Sequence, residues 1–121
     1  MNLLIEEDIE IDEIIIYIKL FKLYKSFLLL ISDQINMGIG NVTLGSPPLF
    51  EGIKTSTASY SLFGVNTKLL STIIVERATN ILKAPVLLLL FIKNKKSEEE
   101  LIKPLINFLN TILKEALKKI E

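Results

Sequence analysis

Five hydroxyl side chains stand close together at Thr55, Ser56, Thr57, Ser59 and Ser61, a density that could supply a nucleophile. A hydroxyl attacks a carbonyl only when a neighbouring base takes its proton, and that base is most often an imidazole. The chain of 121 residues contains no His and no Cys. Lysine can replace the imidazole, but it does so in a Ser-x-x-Lys arrangement, and no such pattern stands at this cluster. The same two absences remove thiolate nucleophiles, disulfides and Cys- or His-ligated metal sites. The hydroxyls therefore read as the surface of a strand.

The carboxylates have simpler uses than acid catalysis. Glu98, Glu99 and Glu100 follow Ser97 in the pattern of a capping box, where acids favour a helix N-terminus. Glu6, Glu7, Asp8, Glu10, Asp12 and Glu13 crowd the start of the chain, yet they lack the spacing of a calcium-binding loop. Gly38-Ile39-Gly40 opens like a dinucleotide fingerprint but leads toward a strand where that motif needs a helix, so it reads as a hairpin turn. Lys93, Lys95 and Lys96 could meet an acidic partner or a phosphate, or simply form a solvated turn. Glu76 and Arg77 read as an exposed pair on a helix. The expectation is a protein that is not an enzyme and uses no cofactor and no metal. With 14 basic and 14 acidic residues the formal net charge is +0, which gives nucleic-acid binding little electrostatic footing.

Half of the residues are hydrophobic, 50 %, and mean hydropathy is +0.45, both high for a small soluble domain. The length suits one domain over residues 1–121. The longest apolar run, Ala84 to Ile92, has the length of a strand and not of a membrane span. The segment from Ile14 to Ile31 is broken by Lys19, Lys22 and Lys25, which a bilayer would penalise. The first residues are acidic where a signal peptide is basic. These features lead to the expectation of a cytoplasmic protein, which can also be nuclear, that does not engage membranes.

Glu13 to Lys25 is rich in strand formers and lacks Gly and Pro, so it predicts a long strand. Lys25-Ser26 is the expected turn into a second strand over Phe27 to Ile31. Asp33 to Gly40 is expected to form a hairpin leading to a short strand at Asn41 to Leu44, which Gly45-Ser46-Pro47-Pro48 ends. A polar strand at about Lys54 to Leu62 suits an edge. Leu70, Ile73, Ile74, Ala78 and Ile81 recur at helical spacing, predicting a helix from Thr67 to Lys83, capped at Asn66 or Thr67 and stopped by Pro85. Val86 to Ile92 is expected to be a fully buried central strand. A last helix runs to about Lys119, and Pro104 either kinks it or stands in the first turn of a later start. Together these elements predict an α+β fold, a mainly antiparallel sheet of five to six strands with two main helices.

Two amphipathic helices cover one sheet face, and the other needs a second layer. On the first strand Ile14, Ile16, Ile18 and Leu20 share one face, while Ile15, Tyr17, Phe21 and Leu23 share the other around Lys19. One set faces the helices. The other meets either a second sheet from the same chain or a different chain. Ile15, Tyr17, Lys19, Phe21 and Leu23, with Lys93, Lys95 and Lys96, are the candidate partner-binding residues.

Several segments carry a family resemblance: Phe27-Leu-Leu-Leu-Ile-Ser, Ile39-Gly-Asn-Val-Thr-Leu-Gly, Thr57-Ala-Ser-Tyr-Ser-Leu-Phe-Gly, the Ile74-Val-Glu-Arg-Ala helix and the Pro85-Val-Leu-Leu-Leu strand. In order, they resemble the proteasome assembly chaperone 3 and 4 group, chaperone 4 more closely, over about Ile14 to Leu117. The resemblance implies a non-catalytic chaperone that dimerises with itself or a related, chaperone 3-like subunit and assists assembly of the proteasome α-subunit ring, leaving before the particle matures. The Pro47-Pro48 turn and the acidic first dozen residues depart from the pattern. An alternative is a roadblock- or longin-like scaffold that docks a GTPase or a trafficking complex. A small enzyme built on carboxylates and lysines would need a pocket with a perturbed acid or lysine.

Overall fold

The computed structural model describes residues 1–47, 56–61, 67–94 and 98–120. Its elements are β1 (Asn2–Ile11), β2 (Ile14–Leu23), β3 (Ser26–Ser32), β4 (Asn41–Ser46), β5 (Ser56–Ser61), α1 (Lys68–Leu82), β6 (Val86–Phe91) and α2 (Glu98–Ile120). The strands form one sheet in the order β1-β2-β3-β6-β4-β5. Four of its five neighbouring pairs are antiparallel and β3 runs parallel to β6, so the expected α+β class and mainly antiparallel sheet are observed.

The acidic start of the chain is a strand. β1 pairs along its length with β2, and the two-residue loop between them holds Asp12 and Glu13 at φ 47° and 71°. Such a left-handed loop matches the twist of the strands it joins. The next turn sits at Tyr24-Lys25, one residue before the expected Lys25-Ser26. Lys25 takes a φ of 52°, and the Ser26 hydroxyl donates to the Tyr24 carbonyl at 3.0 Å.

The expected hairpin over Asp33 to Gly40 is not formed. β6 lies between β3 and β4, so residues 33–40 step across the end of β6. Asp33 ties that end together: its carboxylate accepts from the Lys93 amide at 2.9 Å and the Asn94 amide at 2.7 Å. Its own amide donates to the Phe91 carbonyl at 3.2 Å. Gly38 lies flat against Phe91, where a Cβ would stand 2.6 Å from the ring.

Both helices cover one sheet face. Ile16, Ile18, Leu20, Leu29, Ile31, Val86, Leu88 and Leu90 on that face pack with Leu70, Ile74, Ala78, Leu101, Leu105, Leu109 and Leu113 into one buried core. The spacing read for α1 is observed, with Leu70, Ile74 and Ala78 buried and Ile73 and Ile81 packed against the core. α1 comes close enough to β4 that a Cβ on Gly45 would lie 2.2 Å from Val75 Cγ1, so only glycine fits without a shift.

Thr67 occupies the N-cap position of α1 without capping it through its side chain. Its hydroxyl instead donates to the buried Asn41 carboxamide oxygen, which also accepts the Thr67 amide at 3.1 Å. The Leu70 amide, in the first turn of α1, donates to Glu98 Oε2 at 3.2 Å, so the acid expected at the head of α2 serves α1. α1 ends with Lys83 in the left-handed conformation, its amide donating to the Thr79 carbonyl at 2.8 Å, ahead of Pro85. Pro104 stands inside α2, which excludes a later start with that proline in the first turn. Ser97 of the expected capping box lies outside the described residues.

Candidate protein interface

Directly opposed residues in antiparallel strands project to the same side, so the pairing registers define the face away from the helices. On β2 it carries Ile15, Tyr17, Lys19, Phe21 and Leu23. β1 sets Glu10 opposite Ile15, Asp8 opposite Tyr17 and Glu6 opposite Lys19. β3 adds Leu30 beside Lys19 and Leu28 beside Phe21. Leu28 and Leu30 stand beside Leu87 and Leu89 of β6, which in turn oppose Leu44 and Val42 of β4. Ala58 and Tyr60 of β5 complete the row.

The contrast between the two faces is sharp along every interior strand. On β6, Val86, Leu88 and Leu90 are fully buried, while Leu87, Leu89 and Phe91 are only half-buried. The expected fully buried strand is thus central but covered on one side alone. A run of four leucines has no period, so the sequence could not reveal which side stays open. At the margins exposure rises to 43 % at Ile15, 48 % at Leu44 and 67 % at Tyr60. Among the described residues a single sheet is formed, and no second sheet lies over this side.

Five of the candidate partner-binding residues, Ile15, Tyr17, Lys19, Phe21 and Leu23, are therefore brought together on the open face. Lys93 is exposed beyond the end of β6, where its amide donates to the Asp33 carboxylate. Lys95 and Lys96 lie outside the described residues. Sequence reasoning missed the contribution of Leu87 and Leu89, which strand order brings beside β3, and of Val42 and Leu44 next to them on β4. It also missed Glu6, Asp8 and Glu10, because the alternation of Ile9, Glu10 and Ile11 was not read as part of a strand.

One end of the face is hollowed. A cavity of about 230 Å³ is lined there by Glu6, Glu7 and Asp8 of β1, Tyr17, Ile18 and Lys19 of β2, and Ile35 and Met37 beyond β3. Its lining combines three carboxylates with the Lys19 ammonium and the apolar Ile18, Ile35 and Met37. Among the described residues no group of three or more carboxylates is placed to hold a metal ion. No helix formed by them is long and apolar enough to cross a membrane.

A solved structure shares this fold. The chain is similar to one in the crystal structure of a novel chaperone complex for yeast 20S proteasome assembly, with a TM-score of 0.58. The similarity covers 90 % of this chain and 95 % of that one at 10 % sequence identity, a likeness of fold. No family model matches the sequence, and no curated protein does.

Proposed function

We propose that the chain is a non-catalytic chaperone subunit for assembly of the proteasome core particle, acting on the α-subunit ring as a dimer with itself or a related, chaperone 3-like subunit. The observation that carries this reading is the open sheet face: a broad aliphatic surface left uncovered by the chain's own helices, on a fold shared with a proteasome assembly chaperone complex. Interior-like surface of this breadth on one small domain marks a site of association. The residues that would make the dimer contact are Ile15, Tyr17, Lys19, Phe21 and Leu23, with the leucines of β3 and β6 beside them. Chaperoning by surface contact uses no cofactor, in keeping with a chain that has neither imidazole nor thiol. A cytoplasmic location, the nucleus included, belongs to the same reading.

The test is an affinity pull-down of the tagged chain from its native lysate, read by mass spectrometry, beside a Tyr17→Asp/Phe21→Asp variant. Proteasome α-subunits are expected with the native chain and are expected to be depleted with the variant. Their absence from the native sample would sink the proposal. A GTPase recovered in their place would support the scaffold alternative.

A further inference from the structure

The chain has no formal net charge, yet its two ends do not share that balance. Strand pairing gathers the start of β1, the end of β2 and the starts of β3 and β6 at one end of the sheet. α1 finishes there, since the Pro85 carbonyl just beyond it accepts the Phe27 amide at 2.9 Å. So does α2, whose Lys119 ammonium donates to the Leu4 carbonyl at 3.0 Å. This end therefore carries Lys22, Lys25, Lys83, Lys118 and Lys119. Along β1 and α2 the next acids are Glu6 and Glu115. The opposite end holds Asp12, Glu13, Asp33 and Glu98 to Glu100, with Lys68 and Lys93 among them.

The contacts of the ammonium groups leave their charge uncompensated. Lys22 donates to the Leu23 carbonyl at 2.9 Å and stands 5.2 Å from the centre of the Phe27 ring, and Lys25 stands 5.4 Å from that of Tyr24. Among the described residues none of these lysines is ion-paired to a carboxylate. Helix macrodipoles account for Lys83, Lys118 and Lys119 at their C-termini. They do not account for Lys22 and Lys25, which belong to the β2–β3 hairpin. Lys25 and Lys83 also take φ values of 52° and 54°, left-handed positions where glycine or asparagine sits with less strain. Tyr24, 86 % exposed, stands in the same turn as Lys25.

We propose that this basic end docks an acidic polypeptide segment of another protein, one that sets an apolar side chain on Tyr24 among its carboxylates. The row β1-β2-β3-β6 is about 15 Å wide at the usual strand spacing, so an extended segment of about five residues spans it. A short segment fits that row, whereas a long uniform polyanion such as a nucleic acid would run on toward Glu6 or Glu115. The lysines and Tyr24 are not residues of the open face, so the site stands whatever covers that face.

The full chain is titrated against a fluorescein-labelled peptide of five glutamates and one phenylalanine, read by fluorescence anisotropy, beside a counterpart with lysine in place of glutamate. The deciding variant is Lys25→Gly/Lys83→Gly, which removes two charges and relieves two left-handed lysines, so its thermal midpoint should not fall below the native one. Lys25→Asn/Lys83→Asn repeats the test with a residue that also tolerates this backbone. Either pair is expected to weaken binding of the glutamate peptide about fivefold at low salt, the scale of two exposed ion pairs. Native binding should vanish at about 1 M salt, where the screening length is roughly 3 Å. Tyr24→Ser should weaken binding of the phenylalanine-bearing peptide and leave that of an all-glutamate hexapeptide unchanged. Undiminished binding by both double variants, or a lysine peptide bound as tightly as the glutamate one, would overturn the site. Displacement of the peptide by inorganic tripolyphosphate at equal charge concentration would overturn its assignment to a polypeptide.

Discussion

Asn41, at the start of β4, accepts both the backbone amide and the hydroxyl of Thr67, the residue immediately before α1, through a single carboxamide oxygen. Both residues are buried, so the sheet positions the helix through a polar contact shielded from water. Asn41→Leu removes the acceptor and leaves the Thr67 amide without it. A loss of about 1–3 kcal/mol in unfolding free energy is expected. Thr67→Val, which keeps the amide contact, should cost less than Asn41→Leu. Urea unfolding of both variants decides it, and the reverse order of destabilisation would contradict this account of the contact.

The seat of α1 on β4 makes a second prediction. Gly45→Ala places a methyl group against Val75 Cγ1 and also 2.7 Å from Thr79 Oγ1. Overpacking of this kind costs about 1–3 kcal/mol. Val75→Ala alone also destabilises, by removing methyl groups from the core. The double variant should be more stable than the sum of the single losses implies, because the space vacated at position 75 receives the new methyl. A double-mutant cycle by thermal or urea unfolding measures that coupling, and strict additivity would show that the helix relieves the clash by moving away.

Hydrogen exchange tests the strand order. β6 is paired with β3 on one side and β4 on the other, so the amides of Leu87 to Leu90 have strand partners on both edges. They are expected to exchange more slowly than any in β1 or β5, which lie at the sheet margins. In β1 the rates should alternate, since every second amide points away from β2. Uniform rates along β1 together with rapid exchange at Leu88 would refute the order.

What could be read from the sequence follows the strength of each local signal. β2 was legible because it is rich in strand formers and lacks Gly and Pro, α1 because its apolar residues recur at helical spacing, and Lys19 marks the less protected face of β2. β1 was not, for two physical reasons. Its register shifts between Leu3 and Ile5, which breaks the alternation, and its loop uses Asp12 and Glu13 where a left-handed turn would ordinarily announce itself with Asn or Gly. The hairpin expected at Gly38 to Gly40 failed because glycines mark a turn without naming the strand that follows in space. β6, which begins only at Val86, fills the gap by pairing parallel to β3. Of the candidate interface, the half on β2 was legible from period two alone. The half on β4 and β6 depends on strand order, which local pattern does not contain.

Leu29 and Leu30 are neighbours on β3 and chemically identical, yet the fold assigns them opposite roles. Leu29 is fully buried beneath the helices, beside Leu20 and Leu88. Leu30 is half-buried on the open face, beside Leu89 and opposite Lys19. Leu29→Asp puts an unpaired carboxylate in the core and is expected to unfold the protein; even Leu29→Ala should cost about 2–5 kcal/mol. Leu30→Asp places its carboxylate at the open surface with the Lys19 ammonium across the strand, so the chain should stay folded by circular dichroism. The same change puts a charge in the middle of the aliphatic field, where a covering chain would have to desolvate it. The mass by light scattering should therefore fall to that of one chain if the native protein self-associates through this face, and, on the function proposed above, recovery of proteasome α-subunits in a pull-down should fall as well. Unfolding of Leu30→Asp to the same extent as Leu29→Asp would show that the face is interior to the folded chain. A folded Leu30→Asp protein that keeps both its native mass and its recovered partners would remove this face as the interface.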